Sequence, residues 1–96
     1  MKMAQILEEK REQILQVAQR HGACNVRVFG SVARGDDRSD SDVDFLVDVL
    51  PEHSPWFPSG LVADLKQLLD RDVDVVEPDG LHWYIKDRVL REAVPL

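Results

Sequence analysis

The sequence has one cysteine, Cys24, in 96 residues. No internal disulfide can form, and no second thiol stands at zinc-ligand spacing, so Cys24 reads as a small apolar residue. Long apolar runs are missing as well: nothing approaches the roughly 20 residues that a membrane span requires. The start, Met1-Lys2-Met3-Ala4-Gln5, has neither the apolar stretch nor the cleavage site of a secretory signal. A cytoplasmic protein that neither crosses nor enters a bilayer is expected. Positive charge is also in deficit, with 12 Lys and Arg against 18 Asp and Glu and a net charge of −6. Polynucleotide binders need a basic surplus on one face, so direct binding of DNA or RNA is not expected. The three histidines, His21, His53 and His82, are scattered without ligand spacing. Trp56, Phe57, Trp83 and Tyr84 suit a core or a partner interface better than a base-stacking platform.

What remains is the composition of a globular chain, 44% hydrophobic and 31% charged, of a length that makes residues 1–96 a single domain. Ile6, Leu7, Ile14, Leu15, Val17 and Ala18 recur at helical spacing, which predicts one amphipathic helix from about Met3 to Arg20, stopped by Gly22. Alternation from Asn25 to Phe29 predicts a strand that runs into a turn at Gly30. A second strand is expected over Asp42 to Asp48, with Val43, Phe45 and Val47 on one face and Asp42, Asp44, Leu46 and Asp48 on the other. Pro51, Pro55, Pro58 and Gly60 mark a loop, followed by a helix through Leu61, Leu65, Leu68 and Leu69 that ends near Asp70. A strand over Asp72 to Glu77, a stop at Pro78-Asp79-Gly80 and a helix from Leu81 to Ala93 complete the chain. The order fits an α/β or α+β fold, a small mixed sheet of three or more strands layered with helices.

Fold class says nothing of chemistry. That enters with the acidic stretch Asp36, Asp37, Asp40, Asp42, Asp44 and Asp48. Charge runs are usually solvated loops, and that reading suits Asp36, Asp37 and Asp40. Asp42 and Asp44 differ, because residues two apart on a strand point the same way, so their carboxylates project together. Such a pair can share divalent cations, and Mg²⁺ takes oxygen ligands while keeping waters that substrate phosphates can replace. An Asp-x-Asp alone is weak, since Asp40-x-Asp42, Asp70-x-Asp72 and Asp72-x-Asp74 also occur. An EF-hand fails: counted from Asp40, the turn glycine would be Phe45 and the last ligand Pro51. A Walker loop fails for want of a Lys-Ser or Lys-Thr after the glycines. The chain does have Gly30-Ser31 at a strand end, ten residues before Asp42. Glycine lets backbone N–H groups approach an anion closely, and the Ser31 hydroxyl adds a donor.

Gly30-Ser31-Val32-Ala33-Arg34-Gly35-Asp36, followed by Ser41-Asp42-Val43-Asp44-Phe45-Leu46-Val47, resembles the signature of the minimal nucleotidyltransferases of the DNA polymerase β-like superfamily. The resemblance continues through Val73-Asp74-Val75-Val76 and Pro78-Asp79-Gly80-Leu81. It implies a polymerase β-like palm in which Asp42 and Asp44 bind two metal ions. Asp74 completes the site from a neighbouring strand, and Gly30 and Ser31 hold the nucleotide; Arg34 is a further candidate for the nucleotide, able to cross to a triphosphate oxygen or to pair instead with Asp36 or Asp37. Asp70 and Asp72 stand near enough in sequence to replace Asp74, but the Val73-Asp74-Val75 setting favours Asp74, because an aspartate buried among β-branched residues needs a partner.

The reaction implied is transfer of a nucleoside monophosphate, AMP from ATP, with Mg²⁺ as the metal and Mn²⁺ as its alternative. Larger members of the superfamily carry further domains that grip the acceptor, so here a partner is expected to supply it. Minimal members act as antitoxins to small HEPN RNase toxins by adding AMP to a toxin tyrosine. An alternative is an antitoxin that neutralises its partner by binding alone. Transfer to a small molecule such as an aminoglycoside lacks the second domain it needs.

Overall fold

A computed structural model describes residues 2–96. In place of one long helix it has two, α1 (Met3–Glu9) and α2 (Arg11–Arg20), which meet at Lys10. The backbone there opens to φ −100° and ψ 12°. Hydrogen bonding nevertheless continues through the junction: the Lys10 N–H donates to the Ile6 carbonyl at 3.0 Å, and the Ile14 N–H to the Lys10 carbonyl at 2.9 Å. The junction is therefore a bend, and it sends the Lys10 ammonium to the Leu68 carbonyl at 2.8 Å, near the end of a later helix. Periodicity cannot register such a bend, because the apolar positions stay in phase on both sides of it.

Strand β1 (Ala23–Phe29) starts earlier than alternation predicts. Its register against β2 (Val43–Val49) shifts between Cys24 and Arg27, and Asn25 takes φ 48° there. This bulge interrupts the period-two pattern. The short helix α3 (Gly30–Arg34) follows β1 directly, and α4 (Ser59–Leu69) crosses from β2 to β3 (Val73–Val76). Parallel strands need such a crossover, and β2 and β3 are parallel. A 3₁₀ turn at Pro78–Gly80 leads into α5 (Trp83–Glu92).

The last strand, β4 (Val94–Pro95), was not expected. It adds to β1 antiparallel, with Val28 opposite Val94, and the Leu96 N–H donates to the Val26 carbonyl at 3.0 Å. The mixed sheet thus runs β3-β2-β1-β4.

One face of the sheet forms the core. Val43, Phe45 and Val47 pack with Val26, Val28, Val73 and Val75 against Met3, Leu7, Ile14, Leu61 and Leu65 from the helices. Phe45 is fully buried. Each such side chain contributes about 1.5–3 kcal/mol through removal from water. Leu46, expected on the polar face with the aspartates, is also fully buried, although it lies outside that cluster. The turn at Pro78–Gly80 contacts β2, while at the end where β1 finishes and β2 begins Asp42 and Asp74 are exposed. Among the described residues, no helix is long and apolar enough to cross a membrane.

Candidate active site

The end of the sheet with the exposed aspartates is built by three adjacent strands. β1 ends at Phe29, opposite Asp44 of β2, and Asp44 in turn lies beside Asp74 of β3 in parallel register. Neighbours at one register level share a face, so the carboxylates of Asp44 and Asp74 project together. Asp42 lies just outside β2, whose first residue is Val43, and is exposed. Its expected place as the first strand residue is corrected by one position.

Gly30 is the residue on which this end turns. Its φ is +76°, a conformation that glycine adopts without steric cost. A Cβ built there would collide with Oδ2 of Asp44. The backbone of the turn therefore lies directly against the half-buried Asp44 carboxylate. Ser31 follows in the first turn of α3, half-buried, and its carbonyl accepts the Asp36 N–H at 3.1 Å. Arg34 ends α3 and is exposed; its Nε donates to Asp36 at 3.2 Å and its Nη1 to Glu92 of α5 at 3.5 Å. These acceptors hold the guanidinium firmly charged, Asp36 first and Glu92 after it.

Asp44 is where the groups meet electrostatically. Its carboxyl is raised above the ordinary aspartate value, first by burial, then by the charges of Asp74 and Asp42, while Arg34 acts in the opposite sense. Three of the other five residues expected at the site thus influence this carboxylate, and Gly30 packs against it. The rival aspartates are engaged elsewhere. Asp70 takes the left-handed conformation that ends α4, and the Asp72 carboxylate lies 3.7 Å from the Lys66 ammonium. Asp74 is not buried among its β-branched neighbours but exposed, so burial does not make it need a partner; its register beside Asp44 is what brings it to the site.

Among the described residues, no three His, Cys, Asp or Glu side chains already converge into a cage for an ion. The chemistry of the donor set nevertheless fits a hard divalent cation, since the charges of Asp42 and Asp74 both act on Asp44 and all three donors are carboxylate oxygens. Asp42 and Asp74 are exposed and free to rotate toward an ion, with Asp44 as the anchored member.

One contributor had no signal in the sequence. Arg71 stands between two aspartates in the turn after α4, where charge alone suggests a local ion pair. Its guanidinium instead reaches the loop before Asp42, donating to the carbonyls of Ser41 and Arg38.

Comparison with known proteins gives this geometry a family. Residues 10–96 match the family described as nucleotidyltransferase domain. A Methanocaldococcus jannaschii protein, provisionally named protein adenylyltransferase MJ0435, is 33% identical over 88 residues, covering 92% of this chain and 95% of the relative. Protein adenylyltransferase MntA of Thermococcus cleftensis is 38% identical over 97 residues, covering 96% and 98%. A solved structure provisionally named a minimal nucleotidyltransferase superposes with a TM-score of 0.85 at 44% identity, covering 97% of this chain and 95% of that one. A toxin–antitoxin crystal structure with AMP-PNP shares the fold at a TM-score of 0.73 and 21% identity, covering 88% and 69%. With its palm-like sheet, its Gly-Ser turn and its strand-borne aspartates, the chain belongs to the nucleotidyltransferase domain family and is a nucleotidyltransferase of the minimal kind.

Proposed function

We propose that this chain transfers AMP from ATP to a hydroxyl of a partner protein, a tyrosine of a small HEPN RNase toxin, and thereby acts as a cytoplasmic antitoxin. The observation that carries the reading is the meeting at Asp44 of the Gly30 turn on one side and Asp74, in parallel register, on the other. Support for a protein acceptor comes from the relatives named protein adenylyltransferases. Support for ATP and a toxin comes from the structural neighbour, a toxin–antitoxin complex with AMP-PNP.

In this reading the turn at Gly30-Ser31 binds phosphate oxygens through backbone N–H groups and the Ser31 hydroxyl. Arg34 adds a guanidinium at the same end. Asp42, Asp44 and Asp74 would hold two Mg²⁺ ions, or Mn²⁺, which when bound supply charge compensation to the attacking and leaving oxygens. Asp74, exposed at the mouth, takes the proton of the acceptor hydroxyl as its oxygen bonds to the α-phosphorus and the bond to pyrophosphate breaks.

The test is intact-mass measurement of the partner toxin after incubation with this chain, ATP and Mg²⁺. Gain of one AMP, lost with Asp42→Asn and Asp44→Asn, is the expected result. Neutralisation of the toxin with no mass gain, unaffected by those substitutions, would replace catalysis with an antitoxin that binds alone.

A further inference from the structure

Asp42 is the one site aspartate that the sheet does not hold in place. Strand β2 starts after it at Val43, and residues 35–42 before it form no helix or strand. A residue at the end of such a stretch is free to leave a site where like charges push it away, unless its backbone is tied.

The ties come from the turn between α4 and β3. Arg71 Nε and Nη2 donate to the Ser41 carbonyl at 3.2 and 2.8 Å, and Nη2 donates also to the Arg38 carbonyl at 2.8 Å. The loop closes on itself around this fork: the Arg38 N–H donates to Ser41 Oγ at 2.7 Å, and the Ser41 N–H to the Arg38 carbonyl at 3.0 Å. On the other side of Asp42, the Val43 N–H donates to the carbonyl of Asp72, the next residue after Arg71, at 2.9 Å. The peptide units before and after Asp42 are thus both bound to residues 71 and 72, immediately ahead of the strand that carries Asp74.

We infer that Arg71 is a positioning residue, holding Asp42 in register with Asp44 and Asp74 so that the three carboxylates can receive metal–nucleotide together; the inference rests on the proposed function of the same site. Arg71 touches no reacting atom and acts only through the Ser41 and Arg38 carbonyls. Its planar fork reaches two carbonyls at once, which a lysine ammonium cannot reproduce with the same geometry. Outer contacts that orient ligands typically change metal affinity by about 10–100-fold when removed.

The experiment compares the full chain with Arg71→Lys and Arg71→Gln by calorimetric titration of Mn²⁺ in the presence of ATP, alongside Tm and, with partner, the metal dependence of transfer. Both variants should bind metal at least about tenfold more weakly, with kcat at saturating metal retained within about twofold of wild type. Where Arg71→Gln does not fold, Arg71→Lys, which keeps the charge and stem, is read alone. A fall in Tm with unchanged metal affinity makes Arg71 a structural residue and overturns the inference, as does full rescue by lysine. A wild-type chain that binds no Mn²⁺ with ATP removes the proposed function and the inference with it, whereas wild-type binding unaltered in both variants removes the inference alone.

Discussion

Gly30 and Asp44 are in close contact: a Cβ at Gly30 would collide with Oδ2 of Asp44, so that the carboxylate would have to move aside. Two requirements therefore coincide at one residue, a φ of +76° and an empty site beside a carboxylate. Gly30→Ala meets both penalties. Holding alanine in a left-handed conformation costs about 1–2 kcal/mol, which in a domain of this size lowers Tm by about 4–8 °C per kcal/mol. The displaced carboxylate should also remove nucleotidyl transfer at temperatures where the variant remains folded. Thermal unfolding followed by activity measured well below the new Tm checks both; full activity in a destabilised variant would mean that Asp44 does not need this position.

Asp42→Asn and Asp44→Asn should each lower transfer by at least about a hundredfold. Loss of groups that merely orient metal ligands already costs about 10–100-fold, and a proposed ligand should cost no less. Circular dichroism must remain that of the wild type, since Asp42 is exposed and Asp44 lies outside the apolar core. A variant with native spectra and near-native activity would remove these residues from the proposed metal site.

Arg34 poses a sharper choice, because its contacts with Asp36 and Glu92 could be the whole of its role. Exposed ion pairs contribute little to stability, so Arg34→Ala should leave Tm unchanged within error. If the guanidinium serves the triphosphate, the KM for ATP rises while the fold is untouched. A lowered Tm with unchanged KM would assign Arg34 to the junction of α3 and α5.

The residues of the candidate site were legible because the chemistry proposed for them demands particular types at particular intervals. A glycine at a strand end and an alternating Asp pair survive as local patterns, and the apolar flanks of Asp74 placed it on a strand; that this strand neighbours the first pair followed from the family resemblance. What escaped depends on contacts distant in sequence. Leu46 alternates with aspartates yet is fully buried, and the alternation carries no local signature of that burial. β4 is two residues long and contains Pro95, too short for any periodicity. Arg71 joins a loop 30 residues away, and its sequence neighbours suggest only an ion pair. The bend at Lys10 is invisible because hydrogen bonding and apolar phase both continue through it.

Burying Asp44 beside Asp74 and Asp42 has a consequence for stability when no cation is present. Its pKa in the folded chain lies above the ordinary value of 3.8, so the native state binds this proton more tightly than the unfolded state does. Stability then falls as pH rises from the unfolded value through the folded one, and the penalty is complete above both. Asp44→Asn removes the ionisable group. In EDTA at pH 7 the variant should therefore unfold at a higher temperature than the wild type, and the difference should shrink as pH is lowered toward 4. Added Mg²⁺ or Mn²⁺ with ATP should stabilise the wild type and leave the variant unmoved, because only the wild type retains the anchoring carboxylate. Paired melting curves at the two pH values, with and without metal and nucleotide, test this directly. A variant less stable than wild type at pH 7 in EDTA would mean that favourable contacts of the Asp44 carboxylate outweigh its burial and the repulsion of its neighbours.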